Sequence, residues 1–400
     1  MGIEENNKTD MNINNWISEL GYDKWSPLPV TGSRPSARYK HGAAVADGKL
    51  YIVGGSRNGR HLADVQVFDL RTLAWSRLNL HADPNSTKQV DDNSAEILPA
   101  ISGHSLVHFG SKLFVVGGHS KAISDSVTVW SIDVETHHCH VVETSGKAPI
   151  SRAGQSVTLV GSKLIMFGGE HASRQLLNDI HILDLEAMTW DVLETMNTPP
   201  APRFDHIAAV HSERYLLIFG GCSHSTCFND LHILDLQTKE WSQPQTQGDV
   251  VTPRAGHAGV TIDGTWYILG GGDNTSGTWE TVMHNVIFRA SEPCNYCAAA
   301  SCSGASDTLV LNLSKLVWSV LTNVEQRDPL ASEVVFLCLT RAKINQNWYL
   351  FFGSLNVVEL LFGYLEKLIV FPIQYLSNFL GDRKIAICEH ILAVCTYAKH

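Results

Sequence analysis

Residues 202–241 read PRFDHIAAVHSERYLLIFGGCSHSTCFNDLHILDLQTKEW, and this stretch decides the fold. Two apolar runs, IAAV and YLLIF, flank a short polar break, as the strands of a hairpin do. The second run ends in Gly220 and Gly221, the residue type for a left-handed or crowded backbone. A third run, LHILDL, leads to Trp241. Arg203, His206, Asp230, Asp235 and Trp241 punctuate the unit.

The same punctuation recurs along the chain, the mark of a repeat architecture. Glycine pairs close apolar runs at Gly54 and Gly55, Gly117 and Gly118, Gly168 and Gly169, Gly220 and Gly221, and Gly270 and Gly271, with spacings of 63, 51, 52 and 50 residues. A polar residue stands 13 or 14 positions before each pair: His41, His104, Gln155, His206 and His257. Arg38, Arg152, Arg203 and Arg254 lie three residues before four of these. Downstream come the sets Asp64, Asp69, Trp75; Asp179, Asp184, Trp190; Asp230, Asp235, Trp241; and Asp307, Asn312, Trp318. The second unit is degenerate: it keeps Asp133 but carries Cys139 at the tryptophan position.

These motifs resemble the kelch repeat, and the resemblance covers about residues 25–320. It implies an all-β fold, a kelch-type β-propeller with one four-stranded blade per repeat. The physical pattern agrees. A single blade cannot bury both faces of its sheet, whereas stacking blades around an axis buries them. The tryptophan supplies a flat surface to wedge between blades, with its indole N–H available to a partner. Residues that recur in every blade build the blade, so the Arg, His, Asp, Gly and Trp positions are read as structural. His181 and His232, in DIHILDL and DLHILDL, are expected to be packed and hydrogen-bonded.

Six blades are expected: near 25–75, 76–139, 140–190, 191–241, 242–318 and a degenerate 319–370. Residues 1–21 are read as a disordered segment and 371–400 as an apolar tail. YDKWSPLPV, residues 22–30, is placed as the outer strand of the last blade, closing the ring and hiding its edges. The polar stretch 81–97 is an exposed excursion, and 278–304 reads as an insertion. Residues 357–380 are long enough to span a membrane, but Glu359, Glu366, Lys367 and Gln374 argue against it.

Composition narrows the function. The chain has 400 residues, 44% hydrophobic and 18% charged, which excludes a disordered chain and a coiled coil. Thirty basic residues against 40 acidic ones give a net charge of -10, a balance that argues against nucleic acid as a general partner and leaves room only for a local basic patch. Nine scattered cysteines and a polar N-terminus without an apolar core point to a reducing compartment, the cytosol, with the nucleus as a second location.

No catalytic constellation, metal site or cofactor site is read. The copper ligands of galactose oxidase and the iron-binding string of the plant specifier proteins, both kelch propellers, have no counterpart here. Cys294 and Cys297, with Cys302 and His284, form one weak zinc corner inside the suspected insertion. Cys222 and Cys227 flank a loop tip and are read as surface thiols.

Function is sought in the loops, where propellers differ and bind. Those after the glycine pairs carry Arg57, Arg60, Lys121 and Arg174 against Glu170 and Asp273, with His61, His119, His171 and His224 beside them. An acidic protein that gathers cations on one face is expected to dock an acidic or phosphorylated peptide.

RYKHGAAV, LLNDIHILDLEAMTWD and PRAGHAGVTIDGTWYILGGGDNTSG are similar to the kelch half of plant acyl-CoA-binding proteins. That resemblance implies a protein-interaction role for the propeller. Only 24 residues precede Trp25, too few for a helical acyl-CoA-binding domain, so acyl-CoA is not carried over as a ligand. The expectation is a non-enzymatic interaction scaffold, with acyl-CoA or lipid handling as the alternative.

Overall fold

The computed structural model describes residues 26–27, 30–83, 97–121, 124–272, 308–321, 334–344, 347–356 and 369–372. The expected N-terminal segment 1–21, Trp25, most of the 81–97 excursion, the 278–304 insertion, Asp273, Asp307 and residues 373–400 lie outside them.

Among the described residues the chain is all strand and turn. Five antiparallel sheets follow one another, each built from one sequence repeat. In the first, Gly42–Ala46, Lys49–Val53, Val65–Asp69 and Ala74–Leu78 pair in order. The starting strands Gly42–Ala46, Ser105–Phe109, Ser156–Val160, Ile207–His211 and Ala258–Ile262 each pack against the next, which arranges the sheets as propeller blades.

Each blade fills the gap to its neighbour with side chains from both. Trp241 packs with Ile165, Phe167 and Ile180 of the preceding blade, and its ring centroid lies 5.6 Å from that of Phe167. Trp318 packs in the same way on Leu217 and Phe219, with centroids 5.0 Å apart. Trp190 sits against Phe114, Val116 and Val127. The tryptophans are wedges, as expected, and the indole N–H available to a partner is left unused at three of them. Among the described residues the Nε1 atoms of Trp75, Trp190 and Trp241 are buried without a hydrogen bond. The flat apolar surface, rather than the polar handle, explains the residue type.

The arginines are buried staples. Arg203 is wholly buried; it donates through Nη1 to the Gly220 carbonyl at 3.0 Å and to Asp230 Oδ1 at 2.6 Å, and through Nη2 to Asp230 Oδ2 at 2.9 Å. Arg38 treats Gly54 and Asp64 alike, Arg152 treats Gly168 and Asp179 alike, and Arg254 donates to Gly270. Burial opposes the charge on Asp64, Asp179 and Asp230, yet the arginine contacts prevail and hold all three carboxyls below the ordinary aspartate range. His181 and His232 bond the same carboxylates at 3.0 and 2.9 Å, which confirms them as packed and hydrogen-bonded. The second acid of each repeat closes the turn that follows: Asp69, Asp133, Asp184 and Asp235 each accept two backbone N–H bonds, and Asn312 does the same.

The sequence pattern missed a short parallel strand at the outer edge. Thr31–Gly32 lies beside the tryptophan strand of the first blade, Ser145–Gly146 beside that of the third and Gln247–Gly248 beside that of the fifth. Gly32 has φ of 80°, and a Cβ there would lie 2.1 Å from the Trp75 carbonyl oxygen, so no other residue fits.

A further four-stranded sheet is formed by Ser26–Pro27, Ile369–Pro372, Asn347–Asn356 and Val334–Ile344, in that order. Val334–Ile344 packs against Ala258–Ile262 of the fifth blade, and Ser26–Pro27 pairs with Pro372–Ile369 strand residues Val370 and Ile369.

Candidate functional site

The residue just before each repeat histidine or glutamine sits at the axis. These residues are Lys40, Gly103, Gly154, Asp205 and Gly256, and their φ values are 54°, 69°, 67°, 52° and 66°. The shared left-handed turn lets each backbone reach the next blade. Gly103 N–H donates to the Lys40 carbonyl, Gly154 to Gly103, Asp205 to Gly154 and Gly256 to Asp205, at 2.8 to 2.9 Å. A belt of peptide hydrogen bonds thus runs from the first blade to the fifth.

His41, His104, Gln155, His206 and His257 line the same cavity, which holds about 150 Å³. Gln155 shows their structural job: its Nε2 donates to the Val116 carbonyl of the preceding blade at 3.0 Å. Burial pushes His104 and His206 down to about 3, and His257 well below the ordinary histidine value. Neighbouring positive groups add to the effect: Arg203 beside His206 and Arg254 beside His257. These rings are therefore neutral at physiological pH. The repeat histidines wall the axial cavity.

Two belt positions differ from the rest. Lys40 and Asp205 hold a left-handed turn without being glycine, a conformation that costs roughly 1–3 kcal/mol. Their side chains meet at 3.3 Å, linking the first blade to the fourth across the mouth. The Lys40 and Asp205 side chains are 23% and 16% exposed, so the pair is neither dry nor fully screened. Burial works against the Lys40 charge, but the Asp205 carboxylate outweighs it and lifts the lysine above its ordinary value. The Lys40 ammonium also stands 5.8 Å from the Phe204 ring centroid.

Of the expected loop residues, His119 lies within electrostatic reach of Lys40 at this mouth. Arg57 and Arg60 face each other across a two-residue turn, Asn58 and Gly59, with φ of 49° and 70°. His61 contacts Ser102 Oγ through Nδ1 at 2.9 Å, and burial followed by Lys121 lowers its pKa. His119 is half-buried; burial lowers it first, then Lys40, His61 and His171. Those groups come from the first and third blades and lie within electrostatic reach of a second-blade ring. Lys121 and Arg60 are exposed.

Arg174 departs from the expectation of an uncommitted cation. It donates from Nη2 to His224 Nδ1 at 3.1 Å, and His224 Nε2 returns a bond to the Arg174 carbonyl at 2.9 Å. Glu170 lies 3.6 Å from His224. Arg174 and His224 thus tie the third-blade loop to the fourth, while Arg57, Arg60 and Lys121 stand on the first- and second-blade side.

Sequence reasoning missed Lys40, Phe204 and Asp205. One signal was present: at a repeat position filled three times by glycine, two charges of opposite sign stand 165 residues apart. Among the described residues no group of His, Cys, Asp or Glu has the arrangement to hold a metal ion, and no helix is long and apolar enough to cross a membrane. The Cys294 and Cys297 corner lies outside them.

A family model for the KLHDC2/KLHL20/DRC7 kelch-repeats domain matches residues 2–93 and 103–354. Acyl-CoA-binding domain-containing protein 4 of Arabidopsis thaliana is 48% identical over 319 residues, covering 80% of this chain and 43% of its own length. Acyl-CoA-binding domain-containing protein 5 of the same plant is 48% identical, with 80% and 45% covered. Host cell factor 2 of Homo sapiens is 28% identical over 324 residues, with 74% and 37% covered. The chain therefore spans less than half the length of these curated relatives.

Proposed function

We propose that this chain, which belongs to the kelch-repeat family, is a non-enzymatic interaction scaffold that docks an acidic or phosphorylated peptide at the mouth of its propeller. The observation that carries the reading is the ring of positive and protonatable groups felt by His119: Lys40, His61 and His171, with Lys121 beside His61. A carboxylate or phosphate entering there would meet charge-assisted donors from three blades. Asp205 already supplies such a carboxylate to Lys40, so an incoming acid has a position to imitate.

A six-bladed ring is part of the proposal. It is supported by the sheet of Val334–Ile344, Asn347–Asn356, Ile369–Pro372 and Ser26–Pro27, whose first strand packs on the fifth blade and whose last comes from the other end of the chain. Such a junction gives the fifth blade a neighbour and leaves only short blade edges.

The test is binding of the purified chain to degenerate peptide libraries with a fixed Asp, phosphoserine or Lys. Acidic and phosphorylated libraries are expected to be retained, and the triple change Arg57→Glu, Arg60→Glu, Lys121→Glu to weaken them at least tenfold. Charge-independent retention, or an unaltered triple variant, overturns the reading. Micromolar binding of long-chain acyl-CoA in calorimetry would favour a lipid-handling role instead.

A further inference from the structure

Beside the axial pair lie two thiols that none of the foregoing uses. Cys222 and Cys227 are antiparallel partners at the base of a four-residue loop, Ser223 to Thr226. Two backbone bonds flank them: Phe228 N–H donates to the Gly221 carbonyl and Ser223 N–H to the Thr226 carbonyl, both at 2.8 Å. The cysteines themselves are therefore the non-hydrogen-bonded pair of the ladder, where facing Cα atoms come within about 4.5 Å. That separation falls inside the roughly 4.4–6.8 Å window that a disulfide spans without backbone movement.

The two sulfurs differ in setting. Cys222 is buried, and its backbone exchanges both hydrogen bonds with Phe204 at 3.0 Å, so it is fixed to the mouth. Cys227 is half-buried at the outer side, with Sγ 3.9 Å from the Gly272 carbonyl of the fifth blade. Both are thiols in this structure.

We propose that Cys222 and Cys227 form a reversible dithiol–disulfide site, oxidised by a small disulfide such as oxidised glutathione. The Cys227 thiolate attacks one sulfur of the small disulfide. A mixed disulfide forms and one small thiolate leaves, taking up the proton Cys227 lost. Cys222 then attacks Cys227 Sγ, the mixed bond breaks, and the second small thiol departs with the Cys222 proton. Two protein thiols are oxidised and one small disulfide is reduced. The order of attack follows from exposure. It agrees with the Cys222 proton, which is held well above the ordinary thiol range by its hydrogen bond to Cys227 and by burial.

Oxidation takes the Cys227 sulfur away from Gly272 and closes the loop that carries His224. The fourth-blade loop is then braced within its own blade instead of against the fifth. This site goes beyond the docking role, and its test reads thiol chemistry rather than partner binding.

The experiment equilibrates the purified chain over a series of reduced to oxidised glutathione ratios, traps thiols with iodoacetamide and maps the peptides. The expected product is a Cys222 to Cys227 disulfide, its peptide two hydrogen atoms lighter, reversed by excess reduced glutathione. In Cys222→Ser the glutathione adduct on Cys227 is expected to accumulate; in Cys227→Ser, Cys222 is expected to remain a thiol. A persistent adduct on wild-type Cys227, first modification at Cys222, or two unchanged thiols across the series overturns the proposal. Near-ultraviolet circular dichroism checks each variant's fold, and the wild-type map decides alone if a variant fails it.

Discussion

The fourth blade ties its own strands together with an ion pair, and the second blade does the same job without one. In the fourth, Arg203 is fully buried on Asp230, and Trp241 closes the gap to the third blade. In the second, Ile101, Thr128 and Cys139 stand at the three matching positions. Ile101 and Cys139 join Leu98 in one apolar cluster with Tyr51, Val53 and Val65 of the first blade. The backbone contact is unchanged: Gly55 N–H donates to the Ile101 carbonyl at 2.8 Å, as Gly169 N–H does to the Arg203 carbonyl at 2.9 Å. The inter-blade joint is thus a main-chain device, and the side chain at that position is a choice of filling. A buried ion pair and a well-packed apolar plug are close in net energy, whereas half an ion pair is costly.

The largest expected effect breaks the pair. Arg203→Met leaves Asp230 partly buried with only His232 and should cost about 3–5 kcal/mol in urea unfolding. The double change Arg203→Ile, Asp230→Thr copies the second blade and should recover at least about half of that loss. Equal destabilisation of single and double variants would show that the second blade depends on something other than apolar filling.

A smaller effect concerns the next repeat position, where the third blade has Gln155 and the fourth His206. His104, His206 and His257 have folded values far below the ordinary 6.5. Below about pH 6.5 the unfolded chain takes up these protons and the folded chain does not, so stability falls with acid, by about 1.4 kcal/mol per pH unit for each ring. For His104 and His206 the fall ends near pH 3. His206→Gln should remove one such increment from the slope between pH 6 and about 4.5. Parallel curves for variant and wild type would refute a neutral buried ring. The Arg-paired carboxylates act lower: folded values below the ordinary range mean their contribution is lost only below about pH 4.

The smallest effect lies at the belt. Lys40→Gly copies Gly103 and Gly154, relieving a strained turn while removing the contact with Asp205. Its net change in stability should stay within about 1 kcal/mol by thermal unfolding. A larger loss would make the axial ion pair a stability element.

The blades were legible because each is announced several times by residues that only one geometry satisfies. Glycine pairs, arginine with its aspartate, and the wedge tryptophan recur at fixed spacing, so chance agreement is excluded by repetition. The parallel edge strand was not legible: Thr31 and Gly32 are too few to show a hydrophobic period. That the loops share a place after each glycine pair was readable. What each loop residue does there was not. Arg174 looks like any surface cation until His224, 50 residues away, is seen to hold it. Lys40 and Asp205 matter only because the ring brings their blades across the axis, and Ile101 hid its equivalence to arginine because only its carbonyl performs the common task.

The belt of peptide bonds around the mouth has a mechanical consequence. It runs from the first blade to the fifth like a strap across staves. A partner that tugs on a loop of the second, third or fourth blade does not load that blade alone, because its backbone is tethered to the blades on either side. Force applied at one of these loops is shared along the five joined blades.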